Sequence, residues 1–111
     1  MKVVYQTRNG RLNVELSGDD QKSIFSEIAR FQEVFEETTC AKCGSDNVKF
    51  VVRNVDENDY YELRCADCGA RLAFGVNKKG GTLFPKRKDA DGNWLPDRGW
   101  VKWNAKTGQN E

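Results

Sequence analysis

CAKCGSDNVKFVVRNVDENDYYELRCADCG, residues 40–69, is the stretch on which the fold turns. Two Cys-x-x-Cys pairs bracket it, Cys40 with Cys43 and Cys65 with Cys68, and 21 residues lie between the pairs. Two intervening residues let one tight turn present two sulfurs to a single point. Gly44 and Gly69 follow the second cysteine of each pair, where glycine permits a positive φ and lets backbone amides approach the sulfurs. Residues 47–54 and 60–65 read as strands, with a turn at residues 56–59, so a hairpin can bring the two pairs together.

Four cysteines in this arrangement match the tetrahedral four-thiolate shell of a structural zinc ion. A disulfide reading needs an oxidising compartment, for which nothing in the chain argues. A redox-active Cys-x-x-Cys of thioredoxin type needs one such motif within a βαβ pattern. An iron centre of rubredoxin type uses the same two knuckles, and tetrahedral sulfur geometry separates it poorly from zinc.

The two knuckles, Cys40-x-x-Cys43-Gly44 and Cys65-x-x-Cys68-Gly69, set around a strand hairpin resemble the zinc-ribbon family. The match covers about residues 38–76, and it implies ligand roles for the four cysteines and a three-stranded sheet. Further on, Phe84-Pro85-Lys86-Arg87-Lys88 and Gly99-Trp100-Val101-Lys102-Trp103 resemble segments of small phage-encoded zinc-ribbon proteins from replication and recombination gene clusters.

Ahead of the knuckles, residues 2–7 are rich in β-branched and aromatic side chains and read as a strand. Asn9-Gly10 signals a two-residue hairpin turn. Residues 11–16 alternate, with Leu12, Val14 and Leu16 on one face. Ser17-Gly18-Asp19-Asp20 has capping-box spacing for a helix start. Residues 20–37 carry a helical stripe of Ile24, Ile28, Phe31 and Phe35, widened by Phe25 and Val34. Behind the knuckles, residues 70–76 read as a third strand and residues 77–81 as a polar turn. Pro85, Gly92, Pro96 and Gly99 then exclude long elements. The expected fold is α+β: a hairpin and helix over 1–38, a zinc ribbon over 39–76 and a C-terminal extension over 77–111, packed as one compact unit.

The chain has 111 residues, 38% hydrophobic and 32% charged. A chain of this size has a limited core and often adds a metal staple. The net charge of +1 hides an uneven distribution. Residues 1–39 carry 5 Lys/Arg against 7 Asp/Glu, residues 40–74 carry 5 against 6, and residues 75–111 carry 8 against 4. In the basic last third, Lys78, Lys79, Lys86, Arg87, Lys88, Arg98, Lys102 and Lys106 interleave with Phe84, Trp94, Trp100 and Trp103. Cations neutralise phosphates and flat aromatics stack on unpaired bases. The same tryptophans can instead seal a small core. Asp89-Ala90-Asp91-Gly92-Asn93 reads as a plain turn, because the glycine is misplaced for a calcium loop.

The chain has no histidine, which excludes a Ser-His or Cys-His nucleophile and any His-containing metal site. Enzymatic activity is not expected. No apolar run reaches the length of a membrane span, and the first residues do not read as a secretory signal, so the expected location is the cytoplasm, the host's if the chain is phage-encoded. The expected function is that of a zinc-binding accessory protein that binds nucleic acid, single-stranded by preference, in phage replication or recombination. The binding residues expected are Lys78, Lys79, Lys86, Arg87, Lys88, Trp94, Arg98, Trp100, Lys102 and Trp103. The alternative is a zinc-scaffolded adaptor or inhibitor that binds a host or phage enzyme.

Overall fold

The structure is a computed structural model and describes residues 1–78 and 81–111. It is α+β and forms two compact units, Met1–Thr38 and Thr39–Glu111. The ribbon segment and the C-terminal extension share the second unit. No helix among the described residues is long and apolar enough to cross a membrane.

In the first unit, strands β1 (Lys2–Gln6) and β2 (Asn13–Ser17) pair antiparallel and are followed by helix α1 (Gln21–Phe35). The turn between the strands is longer than Asn9-Gly10 alone predicts. Thr7 N–H donates to the Leu12 carbonyl at 2.9 Å, which leaves residues 8–11 as a four-residue loop. Asn9 shapes that loop with its side chain: Oδ1 accepts from the Thr7 hydroxyl at 2.7 Å and from the Arg11 amide at 3.1 Å.

The helix starts one signal later than the Ser17 capping box predicts. Ser17 completes β2, and Asp20 is the N-cap, its carboxylate accepting from the Ser23 amide at 2.8 Å. That amide also holds the Asp20 carboxyl below its usual range. Ile24 and Val34 are buried, and Phe31 stacks on Phe35 at 4.6 Å and meets Tyr5 edge-on at 5.4 Å. Phe25, expected on this face, is 76% exposed. At 100° per residue it stands about 100° from Ile24, beyond the edge of the stripe.

The second unit is built on a four-stranded antiparallel sheet, one strand more than the ribbon resemblance implies. Its order is β3 (Val48–Val55), β4 (Asn58–Cys65), β5 (Arg71–Val76) and β6 (Leu83–Pro85). The β3–β4 turn is tighter than residues 56–59. Only Asp56 (φ 52°) and Glu57 (φ 67°) form it, and Val55 pairs directly with Asn58. Two positive φ values give the turn whose twist matches a strand pair. The turn expected at residues 77–81 includes Lys79 and Gly80, which lie outside the described residues; its ends are joined by Asn77 N–H donating to the Thr82 carbonyl at 2.9 Å.

One face of this sheet carries the core. Leu63 pairs with Leu72 and Tyr61 with Phe74, and Leu63, Leu72 and Phe74 are buried. The extension returns to this core. Val101 bridges to Arg71 beside β5, and Trp100 next to it is 0% exposed. Gly99 is required there, since a Cβ on it would stand 2.4 Å from the Lys86 carbonyl oxygen, and its φ is 91°. Among the described residues the Trp100 indole N–H has no hydrogen-bond partner. Short strands β7 (Trp103–Asn104) and β8 (Gln109–Asn110) close the chain as a hairpin.

Trp100→Ala is expected to destabilise the second unit by about 3–5 kcal/mol. Gly99→Ala is expected to destabilise it as well, through the clash and the positive φ. Urea titration followed by tryptophan fluorescence checks both; a change below about 1 kcal/mol for Trp100→Ala would remove this ring from the core.

Candidate metal centre and cationic surface

The two knuckles are copies of one backbone pattern. Cys40 N–H donates to the Ser45 carbonyl at 2.8 Å, and Gly44 N–H donates to the Cys40 carbonyl at 2.9 Å. Cys65 N–H donates to the Ala70 carbonyl at 2.9 Å, and Gly69 N–H donates to the Cys65 carbonyl at 3.0 Å. Gly44 has φ 77° and Gly69 φ 81°, with open space at both Cβ positions, so conformation rather than crowding demands glycine.

This pattern aims all four sulfurs at one point, and they lie within 4.8 Å of one another. Cys40 Sγ stands 3.6 Å from Cys68 Sγ, and Cys43 Sγ stands 3.5 Å from Cys65 Sγ. Four thiolates at about 2.3 Å from a central ion would be separated by about 3.8 Å, the edge of that tetrahedron. The donor set therefore fits one metal ion. Cys40 and Cys65 are buried, Cys68 is half-buried and Cys43 is exposed, so the centre sits against the core with one sulfur toward solvent. The Lys42 amide points at Cys40 Sγ at 3.3 Å.

Four sulfurs this close compete for protons. Burial pushes the Cys40 thiol up. The Ser45 amide works to lower Cys43, but the neighbouring sulfurs, Cys65 first, together with burial push it up to about 12. Burial opposes ionisation of Cys65 as well, yet the Cys68 and Asp67 amides and the Cys43 and Cys68 thiols bring it down to about 7. A divalent cation at the centre would supply the charge that lets all four ionise together.

Residues outside the cysteines brace the centre. Asp67 of the second knuckle accepts from the Ser45 hydroxyl of the first and from Asn47 Nδ2 at 3.4 Å. Lys42 Nζ lies 2.6 Å from Asp97 Oδ2, which ties the first knuckle to the C-terminal extension. Asp97 can reach it because the turn Pro96–Gly99 holds Asp97 (φ 53°) and Arg98 (φ 54°) in the left-handed region. The sequence gives no signal for these partners, since each contact crosses at least 20 residues.

The structure separates the candidate binding residues. Lys78, Lys86, Lys88, Arg98 and Lys102 are exposed, and Lys79 lies outside the described residues. Arg87 is half-buried and donates from Nη1 to the Arg98 carbonyl at 2.7 Å, so it braces the turn at Pro96–Gly99. Trp94 is 72% exposed, with Lys88 Nζ 4.5 Å from its ring centroid. Trp103 is 61% exposed and borders a cleft with Lys42, Lys102 and Lys106 beside Cys43 and Cys68. Trp100 is the correction: it is enclosed by the core, so it cannot stack on a base. Residues 89–93 form a turn in which Asp89 Oδ1 accepts from the Asp91 and Asn93 amides at 3.0 and 2.9 Å.

Comparison with protein-family models, with curated proteins and with solved structures returns no match.

One metal ion per chain is expected by elemental analysis of the purified protein. Cys40→Ser and Cys65→Ser, at the buried positions, are expected to destabilise the second unit more than Cys43→Ser at the exposed one. Thermal melting of the three variants checks the order; wild-type stability in all three would mean that the centre does not anchor the core. Because thiols must shed their protons to bind a metal, retention is expected to weaken as pH falls, and a chelating dye reads the release.

Proposed function

We propose that the chain is a zinc-ribbon protein whose single structural zinc, held by Cys40, Cys43, Cys65 and Cys68, supports a surface that binds single-stranded nucleic acid. The observation that carries this reading is the cleft at Trp103. An exposed indole there stands beside Lys102 and Lys106, with Glu111 the one acidic residue on its lining and Lys42 held in its ion pair with Asp97. An aromatic ring offers a stacking platform for any base, and ammonium groups around it neutralise phosphates without reading sequence. Trp94 with Lys88 repeats the pairing of ring and cation. Four thiolates fill a tetrahedral shell and leave no position for water or substrate, so the zinc is proposed as scaffold and not as catalyst. Phage replication or recombination is the proposed setting, on the resemblance of the motifs at 84–88 and 99–103.

The adaptor reading draws on a different feature. β3 is an edge strand of the sheet, and Phe50 and Val52, two residues apart on one face, are both exposed. An edge strand with exposed apolar side chains is the surface on which a partner polypeptide adds a strand.

Fluorescence anisotropy with labelled single- and double-stranded oligonucleotides at several salt concentrations tests the first reading. The expected result is tighter binding of single strands, with affinity falling as salt rises. Trp103→Ala is expected to weaken binding by about 1–3 kcal/mol for the base it stacks while leaving the melting temperature within a few degrees. Affinity weaker than about 10⁻⁴ M at physiological salt would remove nucleic acid and leave the adaptor reading, with a captured polypeptide as its evidence.

A further inference from the structure

The antiparallel register lines up three cations. Lys49 on β3 pairs directly with Arg64 on β4, and Arg64 pairs directly with Arg71 on β5. Like charges directly opposite one another destabilise a sheet, so this row opposes folding. Arg53 lies on the same face, four residues along β3 from Lys49. Among the described residues, this face of β3, β4 and β5 has a single carboxylate, Glu62. Glu62 is 4% exposed, and its Oε1 accepts from Arg53 Nε at 3.1 Å and from Arg64 Nε at 2.6 Å. Lys49 and Arg71 have no ion-pair partner among the described residues. The buried carboxylate thus fixes two guanidiniums in place without cancelling the row.

The row ends at an aromatic group. Arg64 and Arg71 line a cleft with Gly69, Val101, Asn110 and Trp103. The exposed indole therefore borders two cationic clefts, this one and the one with Lys102 and Lys106. Guanidinium groups match the paired oxygens of a phosphate geometrically, and a flat ring next to them suits a base. An acidic side chain has no use for the ring.

We propose that this sheet face is a phosphate-binding track for single-stranded nucleic acid, in which Lys49, Arg64 and Arg71 neutralise backbone phosphates and Trp103 stacks a base at the end of the row. The proposal rests on the nucleic-acid reading above and extends it to residues 49–71, outside the basic C-terminal third. The ligand relieves the charge opposition that the empty face carries, so binding and stability are linked through these side chains.

The test uses the metal-loaded full chain and the double variant Lys49→Gln/Arg71→Gln, which keeps Glu62 and its two arginine partners. The probes are oligothymidylate, with polyglutamate as competitor. The expected result has two parts that move in opposite directions. The melting temperature stays the same or rises, because opposed charges are gone. Affinity for oligothymidylate falls about tenfold, and the salt slope falls by about 1.4, or about 0.7 for each lost phosphate contact. Wild-type affinity and slope in the double variant, with loss of binding in Lys102→Gln/Lys106→Gln, would overturn the track and leave the C-terminal reading standing. A lower melting temperature in both the double variant and Lys49→Gln alone would make the cations structural and overturn the track. Polyglutamate that competes as well as oligothymidylate and loses the same contacts would assign the face to an acidic polypeptide. No binding of any oligonucleotide by the wild-type chain would overturn this proposal and the reading beneath it together.

Discussion

Four sulfurs brought within 4.8 Å of one another are the constraint on which the second unit depends. Thiols gathered this closely cannot all ionise unaided, and protonated they offer weak hydrogen bonds. A metal ion would turn the arrangement into a cross-link between residues far apart in the chain. One knuckle precedes β3 and the other joins β4 to β5, so an ion there would tie together the two chain ends of the β3–β4 hairpin. That hairpin has a small core of its own, so such a cross-link would supply what a larger apolar interior supplies elsewhere.

The C-terminal extension completes the second unit by packing against the sheet beside the cysteine cluster. Trp100 is fully buried, Gly99 before it comes close to Leu72, and the Arg71–Val101 bridge seats the chain beside β5. The Lys42–Asp97 ion pair joins the same extension to the first knuckle. Both contacts depend on the turn at Pro96–Gly99, where Asp97 and Arg98 take left-handed backbone and Gly99 leaves room for the Lys86 carbonyl. One turn therefore positions the extension against the core and against the knuckle.

Local patterns in the sequence disclose what local physics decides. The knuckles, the helix stripe through Ile24 and Val34, and the strands on either side of residues 56–57 follow from spacing and periodicity. What the sequence hides is what depends on register and return. Asn9-Gly10 signals a turn but not its length, because Thr7 and Leu12 add one more rung. Trp94, Trp100 and Trp103 look alike in sequence, and only the path of the extension puts one in the core and two at the surface. The cation row is hidden for a different reason. Residues 40–74 hold more acidic than basic groups, yet Asp56 and Glu57 sit in the turn and Asp67 in the second knuckle. Lys49, Arg53, Arg64 and Arg71 sit on the strands, so a segment that is acidic in total has a basic face.

The partner of β5 changes along its length. Phe74, Gly75 and Val76 pair with β6, whereas Arg71 at the other end pairs with Val101. During synthesis the last metal ligand, Cys68, leaves the ribosome 32 residues before Trp100, as the numbering requires. For that interval the nascent chain can hold its ion while the start of β5 has an open edge and Leu63 and Leu72 lack their cover. The order of translation thus presents all four cysteines before the segment that closes the core. An ion held there would keep the half-built sheet in register until its final segment emerges.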